Sequence, residues 1–452
     1  MAVEQLLGPA PADWEYTTLG EACARGGGDV QTGPFGSQLH AADYVLQGIP
    51  SIMPENIGDN RVIEEGIARI TLQDAKRLSR YRVRRGDIVY SRRGDVERRA
   101  LIGQQEEGWL CGTGCLRVRF GDGSINPVYA SYYLGDPRVR EWVVRHAHGA
   151  TMPNLNTEIL SDLPFVVPPI AEQNAIAHVL GTLDDKIELN WRMNETLEAI
   201  SGALFKSWFV GFDPVRAKAG GRDSGLPKHL ADLFPDSFQQ SELGEIPKGW
   251  KVSPFAATVE IIGGGTPRTS VAEYWNGDIP WFSVEDAPLS TDVWVVKTAK
   301  KITREGVENS STQVLPVGTT IISARGTVGR IALVGVPMAM NQSCYGLRGK
   351  SATRGYYAYF ATKELVANLQ QQAHGSVFDT ITRDTLAGVS IVVPPTDMVK
   401  AYESEVGPTM ERLRTGLFCS QTFAALRDTL LPKLVSGELR VEKAKRILGE
   451  SR

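Results

Sequence analysis

With 452 residues, 42% of them hydrophobic, the chain has material for about three domains. Its net charge of −3 excludes a protein that coats nucleic acid indiscriminately, because nonspecific affinity comes from neutralising phosphates with Lys and Arg. No run approaches the roughly 18 to 20 uninterrupted apolar residues of a membrane span, and the opening MAVEQLLGPAPADW lacks a secretory pattern, so no membrane partner and a cytoplasmic location are expected. In chain order, the first elements are short β-branched and aromatic runs punctuated by glycine, such as DIVYS at 87–91, which is strand-and-turn chemistry. Between Arg77 and Arg99 nine arginines face only Asp87, Asp95 and Glu97, a local excess that suits a phosphate backbone or, more plainly, a solvated and salt-bridged face. A helical stretch, NPVYASYYLGDPRVREWVVRHA, then leads to FVVPP at 165–169, where proline ends a strand and opens a long helix.

The same order is then written a second time. Ala147-His148-Gly149-Ala150 recurs 226 residues on as Ala373-His374-Gly375-Ser376, and Phe165-Val166-Val167-Pro168-Pro169 recurs at the same interval as Ile391-Val392-Val393-Pro394-Pro395. Upstream the interval is 232, with Ser91-Arg92-Arg93-Gly94-Asp95-Val96 matching Ser323-Ala324-Arg325-Gly326-Thr327-Val328, and Asp13-Trp14 corresponds to Gly249-Trp250. The fold class expected is therefore α+β: two tandem, mostly-β globular domains, each followed by a long helix. The predicted boundaries are a first globule over 1–168, a helix over 169–212, a linker over 213–244, a second globule over 245–393, a second helix over 394–441 and a tail over 442–452.

Both helices carry a seam with steps alternating four and three. In the first it runs through Ile176, Leu180, Leu183, Ile187, Asn190, Asn194, Leu197, Ser201, Leu204 and Trp208; the positions 226 residues on include Val406, Leu413, Gly416, Ser420, Phe423 and Leu430. Two such helices in one chain, with a globule between them, pack most easily as an antiparallel coiled coil with the globules at opposite ends. Asn190 and Asn194 facing Gly416 and Ser420 would weaken the seam and favour one register.

These features together resemble the specificity subunits of type I restriction-modification enzymes. The resemblance rests on the two globule-plus-helix repeats, on FVVPP and IVVPP, and on the rod endings LFKSWFVGFDPVRAK at 204–218 and LRDTLLPKLVSGEL at 426–439. It implies two target recognition domains, each reading one half of an interrupted sequence in double-stranded DNA, held apart by the helical spacer. It also implies partners: two modification subunits that methylate adenine N6 with S-adenosylmethionine, and restriction subunits that cut using ATP and Mg. No cofactor is expected on this chain. A helix of about 40 residues is roughly 60 Å long, which caps the half-site separation near about 18 base pairs.

A catalytic role finds little support in the residues. Asn126-Pro127-Val128-Tyr129 is similar to the Asn-Pro-Pro-aromatic motif of adenine methyltransferases, yet Val128 replaces the second proline and a helix cap explains the same letters. The triple glycines at 26–28 and 263–265 are not followed by Gly-Lys-Ser/Thr and read as turns. Cys23, Cys111, Cys115, Cys344 and Cys419 are odd in number and lack a second pair at metal spacing, so they read as reduced packing thiols and no metal or catalytic residue is expected.

Reading bases needs side chains that donate and accept in pairs, carried on loops. The candidates are the glycine-flanked polar positions Ser37, Gln38, Arg92, Arg93, Thr151 and Asn154 in the first unit, and Thr266, Arg268, Arg325 and Ser376 in the second. Two other readings stay open: a coiled-coil scaffold that binds only protein, and the specificity subunit of a methylation-only complex. A self-sufficient methyltransferase-nuclease would need several hundred further residues of catalytic domain.

Overall fold

Each half of the chain begins and ends in the same strand pair. The computed structural model describes residues 6–149, 152–288, 292–350, 355–372 and 380–441. These divide into two units, one formed by residues up to 186 with those from 422 onward, the other by 187–421. In the first, Glu15–Thr18 lies antiparallel to Pro164–Val167; in the second, Lys251–Pro254 lies antiparallel to Ser390–Val393. The pairing returns the outgoing chain to where it came in, and Pro168-Pro169 and Pro394-Pro395 then start the long helices there.

Between these clasps, the two units repeat one sheet. The first has the strand order Gly27–Thr32, Cys115–Gly121, Ile88–Ser91, Arg99–Leu101, Asp59–Asn60; the second has Val259–Gly263, Cys344–Gly349, Thr320–Ser323, Ile331–Val334, Trp294–Val295. In both, the first four strands are antiparallel neighbours and the last pair is parallel. Ile88–Ser91 and Thr320–Ser323 are central and buried throughout, which is why DIVYS and TTIIS read as unbroken β-formers and not as an alternating pattern. A smaller sheet differs between the halves: four strands in the first unit (Tyr44–Val45, Ala68–Ile70, Ile49–Ile52, Leu110–Cys111) and three in the second (Lys300–Ile302, Trp275–Phe282, Ala339–Met340).

The long helices are Ile170–Phe209 and Thr396–Val435. Their seam is continuous with the globular cores. In the first unit Ile176, Leu180, Leu183, Leu430 and Leu434 are buried in one cluster with Trp14, Leu19, Tyr129, Tyr133 and Phe165, with Phe423 half-buried at its margin. In the second, Phe205, Trp208, Tyr402, Val406, Met410 and Leu413 pack with Trp250, Phe255, Tyr357 and Phe360; Leu197 and Leu204 are half-buried against them, and Ile187 is 9% exposed. The helices run antiparallel, because partner numbers fall as the first helix advances. Arg427 pairs with Asp184 at 2.7 Å in the first unit; in the second, the Asn190 amide donates to Ser420 Oγ at 3.1 Å and Gly416 O at 3.4 Å, and Tyr402 OH donates to Ser201 O at 3.1 Å.

The segment 213–244, expected as a linker, is folded. Phe212, in the left-handed region at φ 55°, breaks the first long helix, and the chain continues as helices Asp213–Ala219 and Lys228–Ala231 and a hairpin of Phe238–Ser241 with Gly244–Pro247. Its apolar residues Val215, Leu230 and Phe234 are buried in the second unit's core, so polar composition and turn residues concealed three anchoring side chains. The second long helix also stops short of the expected 441, at Val435, before Gly437 at φ 76°.

Glu403, on the second long helix, accepts hydrogen bonds from the backbone amides of Tyr356 (3.3 Å) and Tyr357 (2.8 Å), at the start of helix Gly355–Gln372. Burial pushes its carboxyl from the ordinary 4.5 up to about 7, against the pull of those two amides. The folded protein therefore holds a proton that the unfolded chain releases. Stability from this group is full below pH 4.5 and is lost as pH rises through about 7. Glu403→Gln, which keeps an acceptor without the charge, is expected to raise Tm over the parent at pH 8 and to change it little at pH 5, as checked by thermal denaturation at both values.

Candidate nucleic-acid interface

In the first unit the buried strand Ile88–Ser91 ends in a tight turn that carries the two candidate arginines, Arg92 half-buried and Arg93 exposed. Ser91 Oγ donates to Arg93 O at 2.9 Å, and Gly94 takes φ 73°, a conformation that costs glycine nothing. Two other segments are stapled to this turn by three hydrogen bonds: Arg92 N donates to Gly114 O (2.8 Å), Leu155 N to Arg92 O (2.8 Å) and Gly94 N to Pro153 O (3.2 Å). Asn154 and His148 exchange backbone hydrogen bonds of 2.7 and 3.0 Å, closing the adjoining loop. Arg92, Arg93 and Asn154 are thus brought together. Arg92 Nε and Asn154 Oδ1 are buried with no hydrogen-bond partner among the described residues, leaving polar capacity for water or a ligand.

Phe35 completes this corner and was missed in the sequence. It is 51% exposed, and the Arg92 guanidinium lies 5.8 Å from its ring centroid. The available signal was an aromatic held between Gly33-Pro34 and Gly36 in a polar loop. Ser37 is exposed beside it. Gln38 has another use: its side-chain oxygen accepts from Phe35 N (3.1 Å) and Tyr81 OH (2.8 Å), so it shapes the loop that displays Phe35. Thr151 and Ser376 lie outside the described residues.

The second unit builds the same corner with different side chains. Arg325 is exposed on the turn after Thr320–Ser323; Ala324 N donates to Ser343 O (2.8 Å) and Ile381 N to Ala324 O (2.9 Å). Thr266 is hydrogen-bonded to Gln342, a polar residue that the sequence reading passed over, and this contact ties the glycine-rich loop to the loop beside the turn. Arg268 is exposed, with its carbonyl accepting from Trp275 Nε1 at 3.2 Å.

Much of the arginine run is engaged by partners within the chain, some at the surface and some buried. Arg77 pairs with Asp74 (2.8 Å) and Arg98 with Asp95 (3.0 Å), Arg82 donates to Gly108 O (2.7 Å), and the buried Arg99 donates to Ser131 O (2.7 Å). Arg84, Arg85 and Arg93 are exposed, and no ion pair joins them to another described residue. The run therefore mixes a salt-bridged face with a few cations available to a ligand.

The segment resembling a methyltransferase motif is a helix start. The Asn126 side chain accepts from Val128 N (2.8 Å) and Tyr129 N (3.2 Å), with Pro127 in the first turn of Pro127–Tyr133. Its amide is also held by Asn174 Oδ1 at 2.7 Å. The glycine triplets serve close backbone approach: a Cβ at Gly28 would stand 1.9 Å from Arg119 O, and one at Gly264 1.9 Å from Asn341 O. Burial pushes the thiols of Cys23, Cys111 and Cys344 up to about 12, and all five cysteines are free. Among the described residues there is no cluster of potential metal ligands, and no helix is long and apolar enough to cross a membrane.

The repeat seen in the strands is also a recognised sequence family. A family model described as type I restriction modification DNA specificity domain matches residues 11–199 and again 247–400, well over half of the chain. This chain belongs to that family. It is 24% identical to the type I restriction enzyme HindI specificity subunit of Haemophilus influenzae over 95% of this chain and 100% of that one. It is 23% identical to the MjaIX specificity subunit of Methanocaldococcus jannaschii, over 97% and 96% of the two chains. The crystal structure of a type I restriction-modification S subunit from M. genitalium matches with a TM-score of 0.54 at 14% identity, covering 93% of this chain and 96% of that one; the likeness shows a shared fold.

Two outcomes follow for a specificity-domain protein built this way. Asn126→Ala removes a cap and is expected to lower unfolding stability by about 1 kcal/mol, read from denaturant melts. Replacing Arg92 and Arg93 together with alanine is expected to weaken DNA binding and flatten its dependence on salt, as checked by titrating affinity across salt concentration.

Proposed function

We propose that this chain reads a two-part DNA sequence and carries out no chemistry itself. Each globule reads one half-site, and the chain presents the DNA to partner subunits. The observation that carries the reading is the duplicated corner, with one strand–turn framework offering Phe35, Arg92 and Arg93 in one unit and Thr266, Gln342 and Arg325 in the other. Two copies of a scaffold with different exposed side chains suit two half-sites of different sequence.

The partners in this reading are two modification subunits, which bring S-adenosylmethionine and methylate adenine N6, and restriction subunits that use ATP and Mg to cut unmodified DNA. The use of the Asn126 side chain as a cap and the insulation of the buried thiols support a recognition subunit. The expected result of mapping N6-methyladenine across the genome, with and without this gene, is loss of methylation at one interrupted two-part motif on deletion. If the partner methyltransferase is shown to be active and no motif changes, a protein-binding scaffold takes the place of DNA reading.

A further inference from the structure

Because the two units repeat one framework, they can be compared position by position, and the arginine after the central strand is the same in both. The match is made by backbone geometry. Ser91 pairs with Cys115, and Ser323 with Cys344. Ser91 N donates to Arg98 O (3.1 Å), Ser323 N to Arg330 O (2.9 Å). Arg93 bridges to Asn154 and Arg325 bridges to Thr380, and each arginine is followed by a left-handed glycine, Gly94 at φ 73° and Gly326 at φ 77°. Both arginines are exposed. The neighbours that share this corner do not repeat: Arg92 stands where Ala324 does, and the loop bearing Phe35 is matched by the loop bearing Thr266.

A residue repeated in two readers of different half-sites serves what the half-sites share, and what all duplex DNA shares is its phosphate backbone. We propose that Arg93 and Arg325 are equivalent phosphate contacts that seat each globule on the duplex without reading sequence, and that Phe35 and Arg92 discriminate bases for the first half-site. The proposal rests on the DNA-reading role and assigns the labour within it. A tight turn stapled on both sides holds the backbone of each arginine at a set height, as a positioning contact requires. An exposed aromatic beside an arginine offers a ring face and a fork of donors, the chemistry that distinguishes bases.

The test uses the methyltransferase complex assembled with the full chain and a duplex carrying the motif found by methylation mapping. If the parent complex shows no preference for that duplex over a scrambled one, the DNA-reading role itself fails. Given that preference, Arg93→Ala and Arg325→Ala are each expected to weaken binding to both duplexes by a similar factor and to lower the salt slope by about one, with the methylated motif unchanged. Arg93→Lys, which keeps the charge and loses the bidentate fork, should restore most of the affinity. Phe35→Ala and Arg92→Ala should instead narrow the preference by about tenfold and relax the motif in one half only. A changed motif on Arg93→Ala, failure of lysine to rescue, or an unchanged motif when Phe35 and Arg92 are both replaced would each overturn the assignment.

Discussion

Backbone pairing between the first and last strands of each globule is the constraint on which the architecture depends. Glu15–Thr18 against Pro164–Val167, and Lys251–Pro254 against Ser390–Val393, close each globule and leave the chain at a fixed point, where two prolines turn it into a helix. Because the helix starts there, its first turns lie within the globular core. Ile176 and Leu180 share a cluster with Trp14, Leu19 and Phe165, and Tyr402 and Val406 share one with Trp250 and Phe255. Globule and rod are thus one packed body in each unit, and losing a seam residue there would open a cavity in the globule as well as in the coiled coil.

The middle of the seam solves a different problem. An unbroken apolar stripe would tolerate sliding by a heptad, whereas polar groups at fixed heights do not. Asn190 donates to Ser420 and to the Gly416 carbonyl, and Gly416 itself has room for no side chain without pressing on Asn194, whose Oδ1 would lie 3.0 Å from a Cβ there. Nearer the first globule, Asp184 receives both Arg427 and the Tyr132 hydroxyl, which ties the helix pair to the helix Pro127–Tyr133. These hydrogen bonds favour the observed register, since a heptad slip would break them.

Duplication separates scaffold from reader. The five-stranded sheets keep their order and the parallel closing pair, because the buried strands must pack against the same neighbours in both copies. The smaller sheets and the glycine-rich loops vary, with four strands against three and Phe35 against Thr266, since little packing constrains an exposed loop. A fixed framework with variable loops is what a protein needs to read two different half-sites.

Period and repetition determined a great deal by themselves. The 226-residue interval, the FVVPP and IVVPP strand ends and the four-three spacing specify two β-rich globules and two long helices, because local propensity and burial pattern act through near neighbours in the chain. The folded segment 213–244 was not legible, since its order comes from three buried side chains, Val215, Leu230 and Phe234, whose partners are distant in sequence. The candidate interface was legible only in part. Arg92, Arg93 and Arg325 stood out as charges beside glycine, but nothing local distinguishes them from Arg82 or Arg99, which turn to the distant carbonyls of Gly108 and Ser131, and nothing near Phe35 announces that it sits beside Arg92. Which cations remain available, and which loops meet, was decided by strand pairing across gaps of many residues, which only the tertiary fold supplies.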